Sequence, residues 1–272
     1  MSERITNPPQ NDLLMECEGL DISFGGIKAV DNFNMQISKG EIVGLIGPNG
    51  AGKTTIFNII TQFYRPNAGH VYFHSQTRGK VDLCQHKTHE VIQVGIARTF
   101  QNIELIKDLS LLDNVLVGGH IHFKSSLLSR MLRLPKARQE EKEMRAKALE
   151  LLKYFEIDSL ADMHADGQPY GVLKKTELAR ALLADPQLLI LDEPAAGLND
   201  SETADLSKLI KQIIAHYNCA ILLIEHDMRL VMNICDRIYA ISFGKTLDSG
   251  TPEHIQKSAV VQEAYLGEVE DE

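Results

Sequence analysis

Apolar positions along the chain fall into short runs divided by polar and glycine-rich stretches. Residues 15–22 alternate loosely, as do Phe33, Met35 and Ile37, and both stretches predict half-buried strands. Phe24-Gly25-Gly26, Lys39-Gly40 and residues 65–67 mark turns, and 71–73 predict a short strand. Residues 41–46, 188–191 and 219–224 are apolar with little alternation, the pattern of strands buried on both faces. Helical spacing follows the first of these runs, with Ile56, Phe57, Ile59 and Ile60. It returns over 136–155, where Met144, Ala148, Leu151, Leu152 and Phe155 recur at three- and four-residue steps. Further helices are predicted after Pro169, through Leu183, and over 201–216, the latter capped by Asp200 or Ser201. A hairpin around Gly244 joins 238–242 to 246–247. Buried strands separated by helices imply an α/β fold whose central sheet is mostly parallel and covered on both faces.

Two strand ends carry chemistry. The run 41–46 stops at Gly47-Pro48-Asn49-Gly50-Ala51-Gly52-Lys53-Thr54, which fits Gly-x4-Gly-Lys-Ser/Thr between a strand and a helix. Glycines let backbone N–H groups curl around phosphate oxygens, and the helix N-terminus adds partial positive charge. Lys53 is placed to reach the β- and γ-phosphates, and the Thr54 hydroxyl to bind Mg²⁺. Leu188-Leu189-Ile190-Leu191 ends in Asp192-Glu193. A carboxylate there can hold Mg²⁺ through water, and its neighbour can polarise an attacking water. Gln101, His226 and Phe24 also sit at strand ends or turns. Taken singly they read first as an exposed amide, a satisfied histidine and a core aromatic, ahead of a ligand to Mg²⁺ or the lytic water, a γ-phosphate contact and a base-stacking ring.

Composition narrows the partners. Lys plus Arg total 28 against 37 for Asp plus Glu, a net charge of −9, which argues against broad nucleic-acid binding. No apolar run in the 272 residues approaches the ~18 needed to cross a bilayer. Residues 1–12 are polar and lack a signal-peptide pattern, so a soluble, intracellular chain is expected. Cys17, Cys84, Cys219 and Cys235 have no Cys-x-x-Cys spacing and read as reduced structural thiols. Cys84, His86 and His89, with His70 and His74 upstream, read as a polar surface loop in preference to a metal site.

In this order the pieces resemble the ATPase subunit of an ABC transporter, over about residues 13–267. Residues 47–54 match the Walker A motif, 188–192 the Walker B motif, Glu193 the catalytic glutamate, Gln101 the Q-loop, 195–199 the D-loop and His226 the switch histidine. Three segments are similar to the G-type ATPase of bacterial branched-chain amino acid importers: Asp192-Glu193-Pro194-Ala195-Ala196-Gly197-Leu198-Asn199, Ile224-Glu225-His226-Asp227-Met228 and Ala264-Tyr265-Leu266-Gly267. So is the long insert over 118–135.

The resemblance implies one P-loop ABC-type ATPase domain over 13–267, with a small antiparallel β subdomain and a helical subdomain at about 103–185, between tails 1–12 and 268–272. It implies ATP and Mg²⁺ as ligands. Phe24, 29 residues before Lys53, takes the place of the adenine-stacking aromatic. Gly47, Pro48, Asn49, Gly50, Ala51, Gly52, Lys53, Thr54 and Thr55 hold the nucleotide. Thr54, Asp192 and Gln101 hold the metal, and Glu193, His226, Gln101 and Lys53 act in hydrolysis. Implied partners are a second ATPase subunit from a different chain, two transmembrane permease subunits and, indirectly, a periplasmic substrate-binding protein. The implied place is the cytoplasmic face of the inner membrane. Residues 101–107, with Ile103, Leu105 and Ile106, are candidates for the permease contact, against simple core packing. The other readings are an ATPase of a lipopolysaccharide or urea type transporter, or a non-transport ABC ATPase. The last usually carries tandem cassettes or a long coiled coil, and neither is present.

One segment departs from the family. The usual Leu-Ser-Gly-Gly-Gln signature, which touches ATP held by the opposite subunit, reads Gln168-Pro169-Tyr170-Gly171-Val172. Pro169 lacks hydroxyl and N–H, Val172 lacks the amide, and Gly171 keeps its backbone donor. Pro169 suits a first helical turn, and Lys174 and Lys175 are expected to supply positive charge. An asymmetric dimer follows, in which this chain's Walker motifs face an intact signature and its own weak signature faces the partner's ATP.

Overall fold

The computed structural model describes residues 12–99, 102–126, 129, 131–132 and 134–266. The chain divides into two compact units, Met1–Ile96 with Gln187–Glu272, and Ala97–Pro186.

The first unit holds two sheets. Strands β1 (Leu13–Phe24) and β2 (Ile27–Ser38) form an antiparallel hairpin around Gly25-Gly26. After β3 (Ile42–Ile46) and α1 (Lys53–Ile60), β4 (Ala68–Ser75) pairs with β1, and β5 (Gly79–Asp82) completes the order β2-β1-β4-β5. Alternation decides which face is inside. Val30, Phe33, Met35 and Ile37 of β2 are buried, as are Val71 and Phe73 of β4. The opposite face is polar, with Lys80 of β5 bound to Glu16 and lying over the Tyr72 ring.

The second sheet joins β3 to β7 (Leu188–Asp192), β8 (Ala220–Ile224), β9 (Arg237–Ser242) and β10 (Lys245–Gly250) in the order β10-β9-β3-β8-β7. β6 (Ile96–Arg98) follows at the edge, where the chain leaves the unit. β3 runs parallel to β8 and β9, β7 parallel to β8, and β10 antiparallel to β9. Every residue of β3, β7 and β8 is buried. Val43, Leu45, Leu188, Ile190, Leu222 and Ile224 share one apolar cluster with Phe57 of α1 and Phe33 of β2. Each fully buried side chain of this kind stabilises by about 1.5–3 kcal/mol. The other face is covered too. A Cβ on Gly44 would lie 3.3 Å from Val231 of α7 (Met228–Ile234).

The apolar runs are strands as expected, in an α/β fold. The hairpin strands around Gly244 are longer than 238–242 and 246–247. The helix predicted over 201–216 is α6 (Asp200–Tyr217), and its cap is neither Asp200 nor Ser201. Asn199 Oδ1 accepts the Ser201 and Glu202 N–H groups at 3.0 Å each, and the Glu202 carboxylate accepts the Asn199 N–H. This reciprocal box starts the helix one residue early. The pattern also left out α2 (Thr88–Val94), β5, α7, α8 (Pro252–Lys257) and α9 (Ala259–Leu266).

The second unit packs α3 (Leu111–Gly118), α4 (Pro135–Tyr154) and α5 (Tyr170–Leu182) against one another. Met144, Ala148, Leu151 and Leu152 form the buried stripe of α4, as their spacing predicts. Ile103 and Leu105 are half-buried and Ile106 is exposed, so the stretch is no core segment. Asn114 fixes it from α3, donating to the Ile106 carbonyl at 3.0 Å and accepting the Ile106 N–H at 2.8 Å.

Candidate active site

Parallel pairing aligns three strand ends. Leu45 and Asp192 both pair with Ile224 in register, so the loops leaving β3, β8 and β7 emerge side by side. Ligand sites in open α/β sheets form at such carboxyl ends. The central loop carries His226, the two outer ones carry Lys53 and Glu193.

The loop after β3 is shaped by contact as well as by chain freedom. A Cβ on Gly47 would lie 2.2 Å from the Ile241 carbonyl, and one on Gly52 would lie 2.7 Å from the Ala29 carbonyl. Gly52 has φ of +104°, which L side chains rarely adopt. It precedes Lys53, the first residue of α1, so the loop feeds directly into the helix N-terminus. The Ala51 carbonyl accepts the Gly244 N–H at 2.9 Å, tying the loop to the β9–β10 turn. Lys53 is buried, and its Nζ donates to the Gly47 and Pro48 carbonyls at 2.5 and 2.8 Å. Its charge therefore sits inside the curl of the loop. Thr54 is exposed and Thr55 half-buried at the helix start, and Asn49 and Gly50 are exposed on the loop.

Asp192 is buried at the end of β7. Glu193 follows with φ of +46°, a left-handed conformation that turns the chain off the strand, and its N–H donates to the Ile224 carbonyl at 3.0 Å. Its Oε1 lies 2.9 Å from His226 Nε2. Carboxylate and imidazole thus already meet through their side chains.

Glu225, which sequence reasoning passed over, ties these two loops together. It is buried at the end of β8, with Oε1 accepting the Ala195 N–H at 2.7 Å and Oε2 accepting the N–H groups of His226 at 2.8 Å and Asp227 at 3.2 Å. The signal was available, since β8, like β7, is an apolar run ending in a carboxylate. Asp227 then caps α7, accepting the Arg229 N–H at 2.8 Å. Arg229 holds Asp200 at 2.8 Å and keeps its carboxyl below the usual carboxylate range.

Phe24 is exposed at the tip of the β1–β2 hairpin, edge-on to Tyr64 with ring centroids 5.2 Å apart. β2 passes the glycine-rich loop at Ala29, so this aromatic pair belongs to the same end of the first unit. Gln101 lies outside the described residues. Gly171 belongs to the second unit, exposed at the second position of α5, where a backbone N–H has no carbonyl four residues back within the helix. Pro169 is the cap of that helix and not a first-turn residue, its carbonyl accepting the Val172 and Leu173 N–H groups at 3.0 and 3.1 Å. The expectation that Lys174 supplies free charge is also corrected. Lys174 is buried, and its Nζ is bound to Glu177 at 3.1 Å. Among the described residues, no cluster of His, Cys, Asp or Glu has the makings of a metal site. His86 faces Glu90 at 3.5 Å, and burial pushes the Cys84 thiol up.

Residues 30–196 match the family model described as ABC transporter. The chain is 42 % identical over 255 residues to the high-affinity branched-chain amino acid transport ATP-binding protein LivG of Escherichia coli (strain K12), covering 94 % of this chain and 98 % of that one. Against BraF of Pseudomonas aeruginosa, a protein of the same description, identity is 39 % over the same shares. A solved ATP-binding cassette of an ABC transporter in its ADP conformation superposes with a TM-score of 0.80 at 30 % identity, covering 94 % of this chain and 99 % of that one. No helix among the described residues is long and apolar enough to cross a membrane. The family model over more than half of the chain, and relatives that match it nearly end to end, place the chain in the ABC transporter family.

Proposed function

We propose that this chain is the ATP-hydrolysing subunit of an importer of branched-chain amino acids, working at the cytoplasmic face of the membrane through permease subunits. The observation that carries the chemistry is the 2.9 Å pair between Glu193 and His226 beside the buried Lys53 loop. The likeness to LivG and BraF over nearly the whole chain carries the substrate class.

In this reading residues 47–55 cradle the phosphates, and Lys53 moves its ammonium from two loop carbonyls to phosphate oxygens. Phe24 stacks on the base, with Tyr64 bracing its edge. Glu193 takes the proton of the attacking water, and His226 holds that carboxylate in line and meets the γ-phosphate. Asp192 and Thr54 fit a magnesium ion, one a buried carboxylate at a strand end, the other an exposed hydroxyl in the helix's first turn. The family resemblance adds Gln101 to that set. Bound there, the metal would neutralise phosphate charge. Catalysis is then positioning plus fixed charge, with little covalent chemistry. A second ATPase chain closes the site, a periplasmic binding protein delivers substrate to the permease, and the contact runs through residues 101–107.

Purification of the tagged chain from membranes tests the assembly, and leucine, isoleucine and valine uptake into vesicles tests the cargo. ATP-driven uptake that disappears with Glu193→Gln is the expected result. Uptake of another solute class, or hydrolysis with no membrane partner, points to a different ABC ATPase.

A further inference from the structure

We propose that Glu225 is a positioning residue for hydrolysis, holding the Glu193 loop and the His226 loop in a single relative arrangement. This rests on the reading of Glu193 as base and His226 as its partner. Three backbone N–H groups from two different loops end on the one carboxylate, Ala195 on Oε1, His226 and Asp227 on Oε2. Glu225 is 3 % exposed, so water contributes little to those donors. Charge-assisted bonds of this kind are strong and directional.

The geometry explains why an acid is needed. Glu193 sits two residues before Ala195, and its carboxylate must meet a histidine whose own backbone hangs from the neighbouring strand. The Glu193 N–H to Ile224 carbonyl bond fixes the start of the first loop only. Beyond it, the Ala195 bond to Glu225 decides where the rest of the loop lies relative to His226. The outer clasp of Arg229 on Asp200 is largely exposed, and such pairs hold weakly. One carboxylate with two acceptor oxygens therefore sets the distance across which the base and the histidine interact. An amide of the same shape has one acceptor and one donor group. In Glu225→Gln, either Ala195 or the His226–Asp227 pair faces an NH₂ group, and that loop is free to shift.

The test is steady-state ATP hydrolysis by the full chain assembled with its membrane and ATPase partners, comparing wild type, Glu225→Gln, His226→Ala and the double variant. Glu225→Gln is expected to lower kcat about 10- to 100-fold, the scale of one or two lost charge-assisted hydrogen bonds. KM for ATP and the thermal unfolding midpoint should stay close to wild type. In the His226→Ala background the same substitution should cost less than about threefold, because residues acting as a unit are non-additive. Glu225→Asp keeps both acceptors but is one methylene shorter, so it should lose kcat in the same way. The proposal is overturned if Glu225→Gln turns over at the wild-type rate or if its loss is equally large without His226. It is overturned too if both variants lose ATP binding and folded protein together, which is the mark of a structural residue. Absence of ATP hydrolysis in the wild-type assembly would instead overturn the functional reading beneath it.

Discussion

Lys53 shows how one side chain serves fold and chemistry. Its ammonium is enclosed by the Gly47 and Pro48 carbonyls, so the loop is drawn around the charge that phosphate oxygens would later share. Lys53→Ala removes both roles. Charge-assisted hydrogen bonds contribute about 1.5–3 kcal/mol each, so affinity for a fluorescent ATP analogue should fall at least tenfold. The strands beneath the loop, buried by their own apolar residues, should keep the unfolding midpoint within a few degrees. Undiminished nucleotide binding would mean the loop's backbone alone does the work. Residues like Lys53 are legible in a sequence because chemistry dictates both type and spacing. For Glu225 the sequence shows only a carboxylate at the end of an apolar strand, and the convergence of three N–H groups from two loops on it is a tertiary fact. Lys174 failed for the same reason. Its burial against Glu177 depends on which way α5 faces, and that is a tertiary fact.

Among elements, legibility followed burial. β3, β7 and β8 are apolar throughout because helices and a second sheet cover them, so their runs stand out from polar surroundings. Short helices such as α2 and α7 span about two turns, too few to display a period, and are held by caps and packing. Helix starts depend on a hydrogen bond more than on residue type. Asp200, Ser201 and Asn199 are all good caps in isolation, and only Asn199 bonds the first-turn donors. Asn199→Ala should therefore destabilise the chain by about 1 kcal/mol, while Ser201→Ala changes little. Urea unfolding of the two variants separates them. The result matters beyond stability, since Asn199 ends the segment that Glu225 holds at Ala195, and fraying at its far end loosens the same loop.

At the scale of the whole molecule, titration and assembly each make a demand. Burial pushes the Cys219 thiol up to about 11 and the Cys235 thiol up to about 12, against an ordinary value of 9.0. Above pH 9 the unfolded chain loses these protons while the folded chain keeps them. Unfolding then releases protons, and stability falls as pH rises towards 11–12, at about 1.4 kcal/mol per pH unit for each thiol. Replacing both residues with alanine should make the loss between pH 9 and 11 shallower in urea melts, and the slope that remains includes the contribution of Cys17, whose thiol is also pushed up by burial. Assembly asks more. Of the segment that would face the partner's ATP, Pro169 is consumed as a helix cap, its carbonyl accepting two N–H groups, and Val172 offers no side-chain donor. Lys174 is turned inward. What remains outward is exposed Tyr170, the Gly171 backbone and half-buried Lys175, where the usual signature supplies a serine hydroxyl, a glutamine amide and several N–H groups. The first unit, by contrast, carries Lys53, Asp192, Glu193 and His226, the charged residues that the proposed hydrolysis uses. A homodimer of this chain would pair each copy of those residues with a depleted signature. A heterodimer with an ATPase of ordinary signature would instead make one strong site, at this chain's Glu193, and one weak site, at the partner's. Glu193→Gln should therefore abolish most turnover of the reconstituted pair, and the equivalent change in the partner should leave most of it. Restoring Pro169→Ser and Val172→Gln together should raise turnover at the partner's site and leave that at Glu193 unchanged. If Glu193→Gln leaves turnover intact while the partner's change abolishes it, the depleted signature is the competent one and the asymmetry runs the other way.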